Sequence, residues 1–308
     1  MKSLNTYIQE NTCINEKLVV VHNRYSCAPQ TKEELKKIIK ERLEKDPDAD
    51  LNDIDISNII DMSFLFSDLD PHDIDISKWD VSNVKDMCWM FSNCINFNSD
   101  LSKLDVSNVT NMSYMFNNCK NFNSDLSRWN VSNVKNMEGM FWRCTNFNSN
   151  ISNWDVSKVG TMSYMFWLCN NFNSNLNNWD VSNVENMIGM FYGCKNFDSD
   201  LSSWNVSNVK NMNHMFFNCN KFNSDLYAWD VSNVENMHSM FGDCTNFNSD
   251  LSGWDVSNVE NMCCMFQNCK SFNSDLGEWD VSKVDDMQYM FDGCISMKGL
   301  PKWFHIPI

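Results

Sequence analysis

"NVENMHSMFGDCTNFNSDLSGWD", residues 233–255, decides how the rest of the chain is read. Twenty-five residues upstream the same landmarks return as "NVKNMNHMFFNCNKFNSDLYAWD", and twenty-five downstream as "NVENMCCMFQNCKSFNSDLGEWD". A segment recurring at a fixed period is a building unit, because each copy must bury its apolar side against the copies beside it. Phenylalanine marks the period at Phe66, Phe91, Phe116, Phe141, Phe166, Phe191, Phe216, Phe241, Phe266 and Phe291, with no inserted residue. The register begins earlier than the obvious motif. In "LNDIDISNIIDMSFLF", residues 51–66, Leu51, Ile54, Ile56, Ile59 and Met62 stand where Leu101, Leu104, Val106, Val109 and Met112 stand later. Ten coils therefore span residues 51–300.

Within a coil the spacing changes. Val184, Met187, Met190, Phe191 and Cys194 recur at intervals of three and four, which predicts a short helix of roughly two to three turns. Ser182 with Glu185, Ser232 with Glu235 and Ser257 with Glu260 read as capping boxes, and Gly193 and Gly293 stand where such a helix would stop. Trp204 and Val206 alternate around Asn205, with Leu201 before them, which predicts a short strand pairing with its copies above and below. The fold class expected is thus α/β, a repeat solenoid of ten coils, each with one short strand and one short helix. Ahead of it, "TKEELKKIIKERLEKD" starts at Thr31. Thr31 and Glu34 form a capping box, and Leu35, Ile38, Ile39 and Leu43 share one helical face, so residues 31–50 read as a capping helix. Residues 1–30 are an aperiodic extension. Residues 301–308 keep Phe304 and Ile306 in the tryptophan and valine register and read as a closing strand.

Composition narrows the function classes. Forty acidic residues against 24 basic ones give a net charge of −16, which repels nucleic acid phosphates and anionic membrane surfaces, so neither is an expected partner. No stretch approaches the ~20 apolar residues of a membrane span, and "MKSLNTYIQENTCINEK" lacks the apolar core of an export signal. Of the 14 cysteines, nine occupy one repeat position, Cys94 through Cys294. Reduced thiols and a cytoplasmic location, host cytoplasm for a viral product, are the expectation.

The order of landmarks, cysteine, phenylalanine, leucine, tryptophan, valine and then "NMxxMF", resembles the BspA-like relatives of leucine-rich repeats. It is similar in particular to the 25-residue "WDVSNVxxMxxMF" repeat of Mycoplasma lipoproteins, also found in protist surface proteins and giant DNA viruses. The resemblance covers residues 31–308 and implies a right-handed solenoid with a strand face and a helical face. It implies no enzymatic activity. Bacterial members are typically secreted or lipid-anchored adhesins; the asparagine-rich text without a leader suits an intracellular viral or protist product.

The motifs that could carry chemistry have structural readings. The cysteine row supplies one thiol per coil, whereas metal fingers pair cysteines two to four residues apart, so these are read as small core residues. Two carboxylate rows, Asp80 to Asp280 and Asp100 to Asp275, alternate with Asn130, Asn205, Asn150 and Asn175. Asparagine can replace aspartate in a turn but is a poor substitute in acid–base catalysis, so both rows are assigned to turns. His238 and Cys263 share a register in adjacent coils, a pairing too small for a zinc site. No nucleophile–base arrangement or phosphate loop is present, no cofactor is expected, and the chain is not expected to be an enzyme. What remains is variation at one surface position, where Trp142, Trp167, Tyr192 and Phe217 follow in successive coils, with Tyr164 and His214 beside them. Such rings either pack against one another between neighbouring helices or form an exposed stripe, and an exposed stripe marks a contact site. The expected function is an intracellular protein-interaction scaffold, a monomer with a protein partner that the sequence does not name. The alternative is an adhesive or carbohydrate-binding surface protein.

Overall fold

The computed structural model describes residues 25–304, and over them the chain is a repeat solenoid. One α-helix, α1, runs Lys32–Leu43. The Thr31 side chain accepts from the Glu34 N–H at 3.2 Å, which satisfies one first-turn amide, and the Glu34 carboxylate accepts from the Gln30 N–H at 2.8 Å, which ties the entering chain to the helix. Leu35 and Ile39 are fully buried against the first coil, with Ile38 and Leu43 partly so. Two cations fix the helix to that coil: Lys32 on Asp61 at 2.7 Å and Arg42 on Asp53. Most of residues 1–30, and Ile306, lie outside the described residues.

The coils are built differently from the expectation. Among the described residues no α-helix other than α1 and no multi-residue strand occurs. The α/β assignment, the helix over 184–194 and the strand at Trp204 and Val206 are therefore corrected. In place of the helix stand chained turns: Met115 N–H donates to Met112 O, Asn117 to Tyr114 O and Cys119 to Phe116 O. Tyr114 and Asn118 have φ of +54° and +60°, as the third residue of a type II turn requires. Positive φ forbids a continuing right-handed helix. The freed amides turn outward along the stack. Met112, Tyr114, Phe116 and Asn118 donate to the carbonyls of Asn136, Glu138, Met140 and Trp142 in the next coil, at 3.0, 2.7, 2.9 and 2.6 Å. Residue pairs such as Asn111 and Asn136 form single parallel bridges in a column down the array. Four such inter-coil bonds satisfy the backbone that a helix would have satisfied internally.

The capping boxes are absent as well. The Ser182 N–H instead bonds the Asp180 side chain at 3.0 Å, an Asx turn. The same arrangement recurs at Asn175 with Asn177 and at Asn186 with Ile188, so each coil carries three side-chain-closed turns. Both carboxylate rows are spent in this way, and Asp155, Asp200 and Asp255 titrate below the usual carboxylate range because their serine neighbours hydrogen-bond them.

The core is a set of parallel ladders. Phe141 stacks on Phe166 at 5.7 Å and Phe166 on Phe191 at 5.6 Å, with a second column, Phe147 to Phe172, beside it at 5.8 Å. Trp204 stacks on Trp229 at 6.4 Å, and each tryptophan of this ladder donates its ring N–H to a leucine or isoleucine carbonyl in the preceding coil, as Trp204 does with Leu176 at 2.9 Å. The cysteines are core residues: Cys169 is fully buried, its thiol donates to Phe141 O at 2.9 Å, and burial pushes its pKa well up. At the C-terminus Trp303, not Phe304, takes the tryptophan place, stacking on Trp279 at 6.4 Å and donating to Leu276 O at 2.8 Å. Pro301 to Phe304 forms a turn, and the rest of the segment expected as a closing strand lies outside the described residues.

The seat of α1 is pH-sensitive. The hydrogen bond from Arg42 lowers Asp53 from 3.8 to about 2. A carboxylate with a depressed folded pKa contributes stability that is complete above its unfolded value and is lost as the pH falls through the folded one. Amide exchange at Leu35 and Ile39 is therefore expected to accelerate between pH 3.8 and about 2, and Asp53→Asn should reduce that pH dependence to the part left by Asp61, which, against its burial, Lys32 also holds below its ordinary value.

Candidate functional site

The six residues singled out by sequence, Trp142, Tyr164, Trp167, Tyr192, His214 and Phe217, lie together on one face and all are half-buried. Two turn positions supply them, the left-handed residue before the second methionine and the residue after the ladder phenylalanine. Copies of one position stack in register, so the rings form a column. Trp142 meets Tyr164 at 5.0 Å and Trp167 at 5.4 Å. Trp167 lies parallel to Tyr192 at 3.7 Å, and Tyr192 parallel to Phe217 at 4.9 Å. His214 packs on Phe217 at 5.6 Å and on His238 at 4.7 Å. Burial, then His238, lowers His214 to about 4, so the column stays uncharged at neutral pH.

The column is longer than the sequence suggested. It continues through Tyr114, 5.9 Å from Trp142, to Trp89 at 4.2 Å and Phe64 at 6.0 Å. Phe64 and Trp89 were missed because the second position was followed only beside the aromatic run at the first, at Tyr164 and His214. Aligning the second position, which holds Phe64, Trp89, Tyr114, Tyr164 and His214, would have found them. Each of the first seven coils thus gives at least one ring.

Glycine makes room where the ring changes position. A Cβ at Gly139 would come within 2.2 Å of the Tyr114 ring, one at Gly189 within 2.5 Å of Trp167, and one at Gly242 within 2.8 Å of Phe217. Each ring therefore lies flat on the bare backbone of the following coil. Beyond Phe217 the column ends at Gly242, followed by Gln267 and Asp292.

What the column offers chemically is ring edges. Its faces are covered by neighbouring rings, while the flanks reach solvent. Among the described residues no group of three or more His, Cys, Asp or Glu is placed to hold a metal ion, and no helix is long and apolar enough to cross a membrane.

The family model for "Mycoplasma protein of unknown function, DUF285" matches residues 33–153, 125–226 and 193–303. The chain belongs to this family. Three overlapping matches to a DUF285 model are what a uniform array produces, since the model can be laid on any run of coils. No curated protein matches the sequence. Among solved structures, this DUF285 member is similar to the "Crystal structure of TLR13-ssRNA13 complex" at 10% identity, over 79% of this chain and 45% of that one, with a TM-score of 0.19. The chain thus spans less than half of that protein, and a likeness of this size carries no argument about fold or function.

Proposed function

We propose that this chain is a non-enzymatic scaffold whose aromatic column is the contact face for another protein. The observation that carries the proposal is the column itself: rings from seven consecutive coils, half-exposed and mutually braced. Rings held by stacking lose little side-chain entropy on binding, which favours them as anchors. The polar coils after Phe217 provide a rim. Titrating groups give no support for catalysis, because the aspartate rows close turns and the thiol row is occupied in donating to carbonyls. That thiol role needs reduced sulfur, which suits a reducing compartment. The intracellular setting rests on the thiols and on the lack of an apolar export signal in residues 1–17, and the viral or protist origin and the right-handed, BspA-like kinship on the resemblance of the repeat text.

The carbohydrate-binding alternative fares less well for a geometric reason. A sugar stacks on a free ring face, and here Trp167 and Tyr192 cover each other at 3.7 Å and 6°. Edges, the positive rim of the ring quadrupole, suit backbone carbonyls and aliphatic side chains of a polypeptide. The immobilised chain is accordingly expected to retain a protein from a lysate of its source and to leave a glycan array unlabelled. Glycan binding without protein retention would reverse the assignment.

A further inference from the structure

The described cysteines divide sharply by surroundings. Those of the ladder are spaced one to a coil, and each thiol donates to a phenylalanine carbonyl in the preceding coil, as Cys244 does with Phe216 O at 2.8 Å. Cys88 accepts from the Ser113 hydroxyl at 3.1 Å. Cys263 and Cys264 differ: both are half-exposed and their sulfurs lie 3.5 Å apart. They occupy the two turn positions held by His238 and Ser239 in the preceding coil, on the ring-bearing face just past the end of the column.

We propose that Cys263 and Cys264 are a reversible oxidation site, closing to a vicinal disulfide by exchange with a small-molecule disulfide. The backbone is already fixed on both sides. Cys263 N–H bonds Asn261 Oδ1 at 3.0 Å, Cys264 N–H bonds Gln288 O at 2.8 Å, and Met265 N–H closes the turn on Met262 O at 3.1 Å. Closing the sulfurs from 3.5 Å to a bond of ~2.05 Å is then a matter of side-chain rotation. Burial and the adjacent Cys264 raise Cys263 to about 12, which disfavours Cys263 as the first attacking sulfur, and that step is assigned to Cys264. Its thiolate attacks glutathione disulfide, giving a mixed disulfide and one glutathione thiolate. Cys263, once its proton has passed to solvent, attacks Cys264 Sγ and expels the second glutathione. Two S–H bonds of the protein are lost, one S–S bond forms, and one glutathione disulfide is reduced to two thiols. Neighbouring Cα atoms are ~3.8 Å apart, below the ~4.4–6.8 Å usual for disulfides, so the ring is tight and easily reduced. The site is therefore reversible, unlike a structural disulfide.

The test treats the native full-length protein with glutathione disulfide, then maps its peptides by mass. The peptide holding residues 263 and 264 is expected to lose two hydrogen atoms and carry no glutathione, while the buried ladder cysteines, such as Cys119, Cys244 and Cys269, stay unmodified. Excess reduced glutathione should restore it. Cys263→Ser should stop at a glutathione adduct on Cys264. A stable glutathione adduct in the unsubstituted protein overturns the proposal. So do two free thiols under conditions that oxidise an isolated Cys-Cys peptide.

Discussion

Phe166→Ala is expected to cost about 3–5 kcal/mol, the range for emptying a buried aromatic site. Its ring is inaccessible to solvent and lies between Phe141 at 5.7 Å and Phe191 at 5.6 Å, with Phe172 against its flank at 4.0 Å. The cavity cannot close by a shift of the coil, because that coil is tied on each side by backbone bonds such as Phe141 N–H to Met165 O and Phe166 N–H to Met190 O, both 2.9 Å. Stability in such an array is a sum of coils and nearest-neighbour interfaces. The loss should therefore break the denaturant transition into two, with the coils before and after Phe166 melting separately. An exposed substitution such as Asn123→Ala tests the contrast, since only its bond to the Asn148 amide is lost; a midpoint shift of about 1 kcal/mol or less is expected there. Equal effects of the two substitutions would contradict a core made of phenylalanine ladders.

Gly189→Ala carries the second large effect, and its origin can be separated. The residue has φ of +53°, which costs an alanine about 1–2 kcal/mol. Its new methyl would also stand 2.5 Å from Trp167, an overpacking worth about 1–3 kcal/mol more. Tyr164 and His214 hold the equivalent position at +60° and +57°, so the fold accepts a side chain with positive φ there. The ring of Trp167 is what demands glycine at 189. Gly189→Ala should accordingly be milder in a Trp167→Ala background than in the native chain, as a double-mutant cycle in urea would measure. An additive cycle would show that the ring does not rest on Gly189.

Period alone misled about the secondary structure of the coils. The 25-residue repeat, the inward residues and α1 were legible, because burial pattern and helix capping are local. The secondary structure of the coils was not. Chained turns of four residues return an apolar side chain every three or four positions, the same interval as a helix, so Met187, Met190, Phe191 and Cys194 fit both. A second signal was present. The residue two after each ladder phenylalanine is Asp, Asn or Gly in eight of ten coils, from Asp68 to Gly293, and all ten have positive φ. These are the residues that tolerate that conformation. Read as a column, the position announces a turn where a helix was expected. The ring column was partly legible for the same reason: positions one period apart stack, but two positions share the task, and following the second only beside the aromatic run at the first left out Phe64 and Trp89. Its half-buried state could not be read at all, since mutual stacking depends on Gly139 and Gly189 opening the backbone to rings from the preceding coil.

The contact-face proposal is tested most directly by replacing Trp167 and Tyr192 together with serine, and measuring the melting temperature beside retention of the captured protein. The two rings cover each other at 3.7 Å, and an aromatic pair contributes about 0.5–1.5 kcal/mol beyond area burial. The phenylalanine and tryptophan ladders beneath are untouched, so only a modest fall in melting temperature is expected. Partner retention should be lost, at about 2 kcal/mol or more for each anchoring ring. Retention unchanged in a folded double variant, or a collapse of the fold as deep as that of Phe166→Ala, would contradict the account and return the column to the core.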